Sequence, residues 1–371
     1  MIGRDKDNVY FTEKTLDGWK LIIKRYKPKT SKKANHPVIL CHGLAANKYS
    51  CDFGEENTKD WDQYSLAAYL SKGGKEKELS FDVWVPELRG RNGSQTFDPK
   101  VHPEKYNWSL DEYVDLDVPA IINRVQDIWH KETGDKPRVY WVGKSMGGML
   151  AYAYGIFGNG NRDFKGVVSI GSPVRFKNSK ESIKLLVKMC PRRLTGPVYL
   201  LERLNWNKLL FESLKNIMAD RNHIEKRILG DYLNKGLNNT LSLKVINHFS
   251  IFIRNNNFCR YPRYPWLYDM SRRLPFLRNF SPDSYSDNLN KFKSPLLVIA
   301  GKEDKVAHHL DVKYAFDHVG TKEEDKKYIL FSKNNSSHDY GHLDLNLGKK
   351  AKEEVYPRIY SWIRKMELGG L

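Results

Sequence analysis

The sequence predicts an α/β protein, a doubly wound and mostly parallel sheet carrying an inserted, mainly helical cap. Three observations carry that expectation. Short apolar runs such as Val38-Ile39-Leu40-Cys41, Val139-Tyr140-Trp141-Val142 and Leu296-Leu297-Val298-Ile299-Ala300 read as strands buried on both faces. Helical segments alternate with them, and right-handed crossovers then bring every strand's C-terminal end to one edge of the sheet. Between Val174 and Tyr285 the alternation stops, and segments rich in leucine, aromatics, arginine and lysine replace it. The expected division is therefore a sheet domain over 1–173 and 286–371, with a basic helical cap over 174–285.

Taken in order, Val9-Tyr10-Phe11 and Lys20 to Tyr26 flank Asp17-Gly18, a dipeptide suited to a tight hairpin turn, and form an antiparallel edge. A basic linker with Pro28 and Pro37 leads to the Val38 strand, which is followed at once by His42-Gly43-Leu44-Ala45-Ala46-Asn47. A helix is expected from Trp61 to Leu70, a strand from Phe81 to Val85, and an exit loop from Pro86 to Arg91. Ser109 and Glu112 form a capping box that opens a long helix toward Trp129, with a kink expected at Pro119. Next comes Val139 to Met149, which reads as strand, abrupt turn and helix; Phe164 to Ile170 is the following buried strand. In the cap, Ile183 to Met189, Leu200 to Met218 and Phe258 to Phe280 have helical character. The sheet resumes over Ser294 to Ala300 and Tyr328 to Phe331, and a helix from Ala351 to Met366 closes it.

The chain of 371 residues is long enough for one large domain with an insertion, and its net charge of +18 favours an acidic partner. Roughly two-thirds of that charge falls in the cap, where interleaved apolar and basic side chains suit contact with an anionic membrane surface. No aromatic-rich RNP motif turns the charge into a specific nucleic-acid site. Cys41, Cys51, Cys190 and Cys259 show neither C-x-x-C spacing nor the density of a disulfide scaffold. With no apolar leader and no run of membrane-spanning length, a reducing, cytoplasmic location is expected.

The strand–turn–helix segment contains Gly143-Lys144-Ser145-Met146-Gly147-Gly148, a G-x-S-x-G pattern that would present Ser145 as a nucleophile on a strained bend. A serine nucleophile needs a general base oriented by a carboxylate. Asp304 lies just past the Leu296 strand and is preferred to Glu303 and Asp311 as the acid. His342 lies beyond the last strand and is preferred as base; His338 is the solvated alternative, and the remaining histidines read as surface residues. Two oxyanion donors are expected, the backbone NH of Met146 after the nucleophile and that of Leu44 on the loop after Cys41. His42 on that loop reads as a positioning residue. Neither cofactor nor metal enters the expected chemistry.

With these residues in place the chain resembles the α/β-hydrolase superfamily, and within it the acid (gastric and lysosomal type) lipases and their bacterial relatives. His42-Gly43-Leu44, Arg89-Gly90, Ser109 to Ala120 and Gly341-His342-Leu343-Asp344 carry the resemblance beside the Ser145 segment. Lys144 and Met146 depart from the usual histidine and glutamine around the nucleophile. Part of the pattern is also similar to polyhydroxyalkanoate synthases, which use cysteine where this chain has Ser145. The resemblance implies a serine hydrolase cleaving esters of apolar acyl groups, small molecules or lipids, through an acyl-enzyme. The alternatives are an acyltransferase or thioesterase with the same three residues, or a silent binding protein on this fold.

Overall fold

The computed structural model describes residues 9–180, 184, 195–197, 223–237, 240–271, 274 and 281–369. Eight strands form one sheet: β1 (Val9–Phe11), β2 (Ile22–Tyr26), β3 (Val38–Cys41), β4 (Val83–Pro86), β5 (Val139–Lys144), β6 (Phe164–Ile170), β7 (Leu296–Gly301) and β8 (Lys326–Phe331). Their order across the sheet is β1-β2-β4-β3-β5-β6-β7-β8. Only the β1–β2 and β2–β4 pairings are antiparallel. From β4 onward every neighbour is parallel. Because helices cover both faces, β3, β5 and β7 are buried at every position, which is why their sequences are unbroken apolar runs.

The helices that matter to the site are α1 (Lys59–Tyr64), α2 (Leu66–Ser71), α3 (Val118–Thr133), α4 (Met146–Phe157), α5 (Leu243–Asn255), α6 (His309–His318) and α7 (Tyr356–Glu367). One core layer packs Ile39, Trp141, Met149 and Leu150 with Ile121 and Val125; the opposite layer packs Leu40, Val142 and Ile299 with Leu66 and Ile359.

Three local expectations are corrected. The helix expected from Trp61 to Leu70 is two helices, because Ser65 is extended, caps α2 by accepting from the Ala68 amide, and donates to the Asp52 carboxylate at 2.8 Å. The closing helix is likewise broken, into Ala351–Glu354 and α7. The Ser109 capping box is present, with Glu112 Oε2 accepting from the Ser109 amide at 2.6 Å, but Pro119 sits in the first turn of α3 and the distortion precedes it. Tyr113–Asp117 form a π-turn there. Pro119 has no N–H to give the carbonyl of Asp115, and the turn before it is the wider one, in which the Val118 amide donates to the Tyr113 carbonyl. That turn aims Asp117 inward, where both its oxygens accept from Arg89, through the guanidinium Nε at 2.8 Å and the backbone amide at 3.1 Å.

Of the helical segments expected in the cap, Ile183 to Met189 apart from Lys184 and all of Leu200 to Met218 lie outside the described residues, as does the end of Phe258 to Phe280. The described part comprises Lys226–Asp231 with the π-turn Tyr232–Gly236, α5, and the short helix Pro265–Ser271. α5 is tied to the sheet domain by a fully buried histidine. His248 Nδ1 accepts from the Leu110 amide at 3.2 Å while Nε2 donates to the Cys259 carbonyl at 3.0 Å. Burial pushes its pKa down to about 3, so it stays neutral and is not the surface residue the sequence suggests. No helix among the described residues is long and apolar enough to cross a membrane.

Candidate active site

Ser145 links β5 to α4 with φ 53° and ψ −119°, a backbone that side chains other than glycine adopt only at a cost of about 1–3 kcal/mol. Its neighbours hold it there. A Cβ on Gly143 would sit 2.3 Å from the Gly147 carbonyl carbon, and one on Gly147 would sit 2.4 Å from the Cys41 carbonyl oxygen. Glycine is therefore required on both sides of so sharp a bend. The Ser145 amide donates to the Ile170 carbonyl at 2.8 Å, and Trp141 Nε1 caps the Gly147 carbonyl at 2.9 Å, so neighbouring strand and helix both clamp the turn.

Gly43 passes so close to this turn that an added Cβ would stand 3.1 Å from the Ser145 Cβ. That places Leu44 on the cavity that Ser145 lines. Met146 is the first residue of α4, where an amide has no helical acceptor one turn back and the helix dipole favours negative charge. His42 holds the loop: its Nδ1 donates to the Gly43 carbonyl at 3.1 Å and its Nε2 accepts from the Leu88 amide at 3.2 Å. The Glu87 carboxyl lies 3.6 Å from Nε2, yet burial raises that acid to about 7, and burial together with Arg91 lowers His42 to about 3. The histidine is neutral and fully engaged. Arg91 fastens the same loop, donating to the carbonyls of Ala46 at 2.9 Å and Thr240 at 3.0 Å.

On the far side of Ser145, His342 Nδ1 meets Asp304 Oδ2 at 2.7 Å, both residues being buried. Asp304 Oδ1 accepts from the amides of Val306 at 2.9 Å and Ala307 at 2.7 Å, which fixes the carboxylate plane. The Glu303 amide donates to the Tyr340 carbonyl at 2.9 Å, tying the acid loop to the histidine loop. Burial would raise Asp304, but the His342 ring and the Lys144 ammonium outweigh it and hold the acid below its ordinary value. Burial lowers His342, Asp304 raises it and Lys144 lowers it again, with a net value below the usual 6.5. Asp311 is committed elsewhere, to the amide and side chain of Asn178 at 2.9 Å each, and Glu303 is exposed. His338 is buried rather than solvated, stacked on Tyr340 and on His223.

Lys144 is the residue whose part in the site the sequence leaves undefined. Its ammonium is buried beneath the pair and donates to the His342 carbonyl at 2.8 Å. A charged side chain ending a wholly buried strand must find partners, and that was the available signal. Gly171, with φ 57°, leaves room: an added Cβ would lie 3.1 Å from Lys144 Nζ and 3.2 Å from Asp304 Oδ2. Burial lowers Lys144 to about 8, from 10.5. Its charge is therefore present below pH 8 and costs stability there. Lys144→Met is expected to lower kcat about tenfold with little change in KM, and to leave the melting temperature equal or higher. Because the ammonium disfavours imidazolium, the rising limb of kcat/KM moves to higher pH in the variant. A pH–rate profile with an unmoved limb would show that Lys144 does not act on His342.

Ser145, His342 and Lys144 line a cavity of about 190 Å³ within the described residues, walled mainly by Leu44, Met149, Phe176, Phe249, Ile253 and Leu343. Its surface is mostly apolar. An activated hydroxyl beside such a cavity can attack a carbonyl whose apolar substituent fills it.

A model of the alpha/beta hydrolase fold family matches residues 36–335. A probable lipase of Schizosaccharomyces pombe is 25% identical over 383 residues, covering 96% of this chain and 77% of that protein. Lipase member K of Homo sapiens is 23% identical over 341 residues, covering 86% and 77%. Among solved structures, an esterase from Thermogutta terrifontis has a TM-score of 0.56 at 18% identity, covering 97% and 99% of the two chains. An esterase from Exiguobacterium antarcticum has a TM-score of 0.58 at 13% identity, covering 95% and 98%. These structures are alike in fold.

Proposed function

Because the chain belongs to the alpha/beta hydrolase fold family, we propose that it is a lipase- or esterase-like serine hydrolase acting on carboxylic esters with apolar acyl groups. The observation that carries this reading is that a strained Ser145 and His342, itself paired with Asp304, line one mostly apolar cavity. Lipase names among its sequence relatives support the ester chemistry.

In this mechanism the neutral His342 takes the proton from Ser145 Oγ through Nε2, since Nδ1 is held by Asp304. Ser145 Oγ attacks the ester carbonyl, and the backbone NH groups of Met146 and Leu44 receive the oxyanion. The imidazolium, stabilised by Asp304, gives its proton to the departing alkoxide, which leaves as the alcohol. Water, deprotonated by His342, then attacks the acyl-serine, and the imidazolium returns that proton to Ser145 Oγ as the acyl–oxygen bond breaks and the acid is released.

The cap region 174–285 covers the acyl end of the cavity through Phe176, Phe249 and Ile253, and its short helix turns Trp266 (47% exposed) and Met270 (43%) outward. Large apolar side chains left in water beside Arg263 suit a substrate held at a lipid surface. A p-nitrophenyl ester series from acetyl to palmitoyl tests the reading. At about 0.8 kcal/mol per buried methylene, kcat/KM should rise about fourfold for each added carbon until the cavity is full. The palmitoyl ester should turn over faster in anionic than in neutral vesicles at low salt. Acetyl as the best substrate would overturn the apolar-acyl assignment, and equal rates in both vesicles would remove the membrane face.

A further inference from the structure

On the outer side of the His342 loop, three side chains from distant parts of the chain converge. His223 Nδ1 lies 3.7 Å from Asp344 Oδ2, and His338 Nε2 lies 4.0 Å from the same oxygen. The three potential ligand atoms lie within 4.8 Å of one another. Asp344 is fully buried and His338 nearly so, whereas the His223 side chain is 30% exposed, which leaves an approach from solvent.

We propose that His223, His338 and Asp344 bind a divalent transition-metal ion, zinc being the best match to two imidazoles and one carboxylate. Tetrahedral Zn–N and Zn–O bonds of about 2.0–2.2 Å put neighbouring ligand atoms about 3.3–3.5 Å apart. The separations at Asp344 need to close by about 0.2–0.7 Å, with the two imidazoles, now stacked at 3.7 Å and 25°, tilting so that their nitrogens converge. Two of the ligands are already oriented from behind. Ser337 Oγ lies 2.9 Å from His338 Nδ1 and can accept its proton, which holds the ring with Nε2 on the Asp344 side. The Gly341 amide donates to Asp344 Oδ2 at 2.9 Å, which helps fix the carboxylate. Water from the open side of His223 completes the coordination.

The position gives the ion its purpose. His223 begins the described segment 223–237, which packs through Ile224, Ile228 and Tyr232 against Ala46 of the Leu44 loop and Leu343 of the His342 loop. A metal held by His223, His338 and Asp344 would clip this cap-side segment to the loop carrying His342. It would stiffen the wall of the cavity without touching the reacting atoms. The inference does not depend on the reaction assigned to Ser145.

The test uses the whole chain, stripped with a chelator and titrated with Zn(II) alone, read by calorimetry and by thermal melting. One ion per chain and a melting temperature raised by several degrees are expected. Co(II) should give the strong visible absorption of a tetrahedral site. His223→Ala should weaken Zn(II) binding at least about tenfold while melting like the stripped parent, and His223→Cys should restore binding through its thiolate. The proposal is overturned if Zn(II) neither binds nor stabilises the parent, or if it binds His223→Ala as tightly, which would place the ion elsewhere. Should His223→Ala fail to fold, the equally direct His338→Ala is read by the same criteria.

Discussion

Ser145→Ala is expected to lower kcat/KM on a p-nitrophenyl ester by about 10⁴- to 10⁶-fold, which is about 5–8 kcal/mol of transition-state stabilisation. Ser50, Ser179 and Asn346 also line the cavity, but none of them stands on the strained turn that presents Ser145, and the Lys144 ammonium is already bonded to the His342 carbonyl. The residual rate is what the oxyanion donors and binding alone provide. The variant should fold as the parent does. Its backbone strain is imposed by Gly143 and Gly147 and by the clamp on the Ser145 amide, all of which alanine keeps. Labelling by a fluorophosphonate probe should vanish together with activity. Persistent labelling of a correctly folded Ser145→Ala protein would sink the assignment of the nucleophile.

The Ser145 turn was legible in the sequence because its requirements are local: two glycines at fixed spacing between an apolar run and a helix. The places of Asp304 and His342 were legible for a related reason, since a parallel sheet sends every strand's exit loop to the same edge. The loop order then matters more than the distance in sequence. What the sequence left obscure depends on partners that only the packed chain supplies. Lys144 stood out as an odd residue, but its acceptor is the carbonyl of His342, 198 positions away. His338 read as solvated because nothing nearby in sequence announces that His223, 115 positions away, stacks on it. His248 read as a surface residue like the other histidines, and its burial goes with the tertiary contact to Leu110. The break at Ser65 is a contest between helix propensity and a buried hydrogen bond to Asp52, which the tertiary partner wins. The helical reading of Trp61 to Leu70 has no term for that partner.

Asp304→Asn is expected to cost about 10⁴ in kcat at neutral pH, and the local hydrogen bonds say why. Asp304 Oδ1 faces two N–H donors, from Val306 and Ala307, so the oxygen of an asparagine amide must remain on that side. Its NH₂ group is then forced toward His342. A neutral imidazole facing a donor must accept through Nδ1, which leaves the proton on Nε2, the nitrogen that has to receive the proton of Ser145 Oγ. The charge change acts in the same direction. Asp304 raises the pKa of His342 against burial and Lys144, so removing the carboxylate lets it fall further below 6.5 and weakens the imidazole as a base. Two readouts separate this account from simple loss of structure. The rising limb of the residual activity should move to lower pH, opposite to the shift in Lys144→Met, and the nitrogen chemical shifts of the His342 ring should report the Nε2–H tautomer in place of Nδ1–H. An Asp304→Asn protein with near-parental kcat, or one whose limb moves upward, would remove Asp304 from the mechanism.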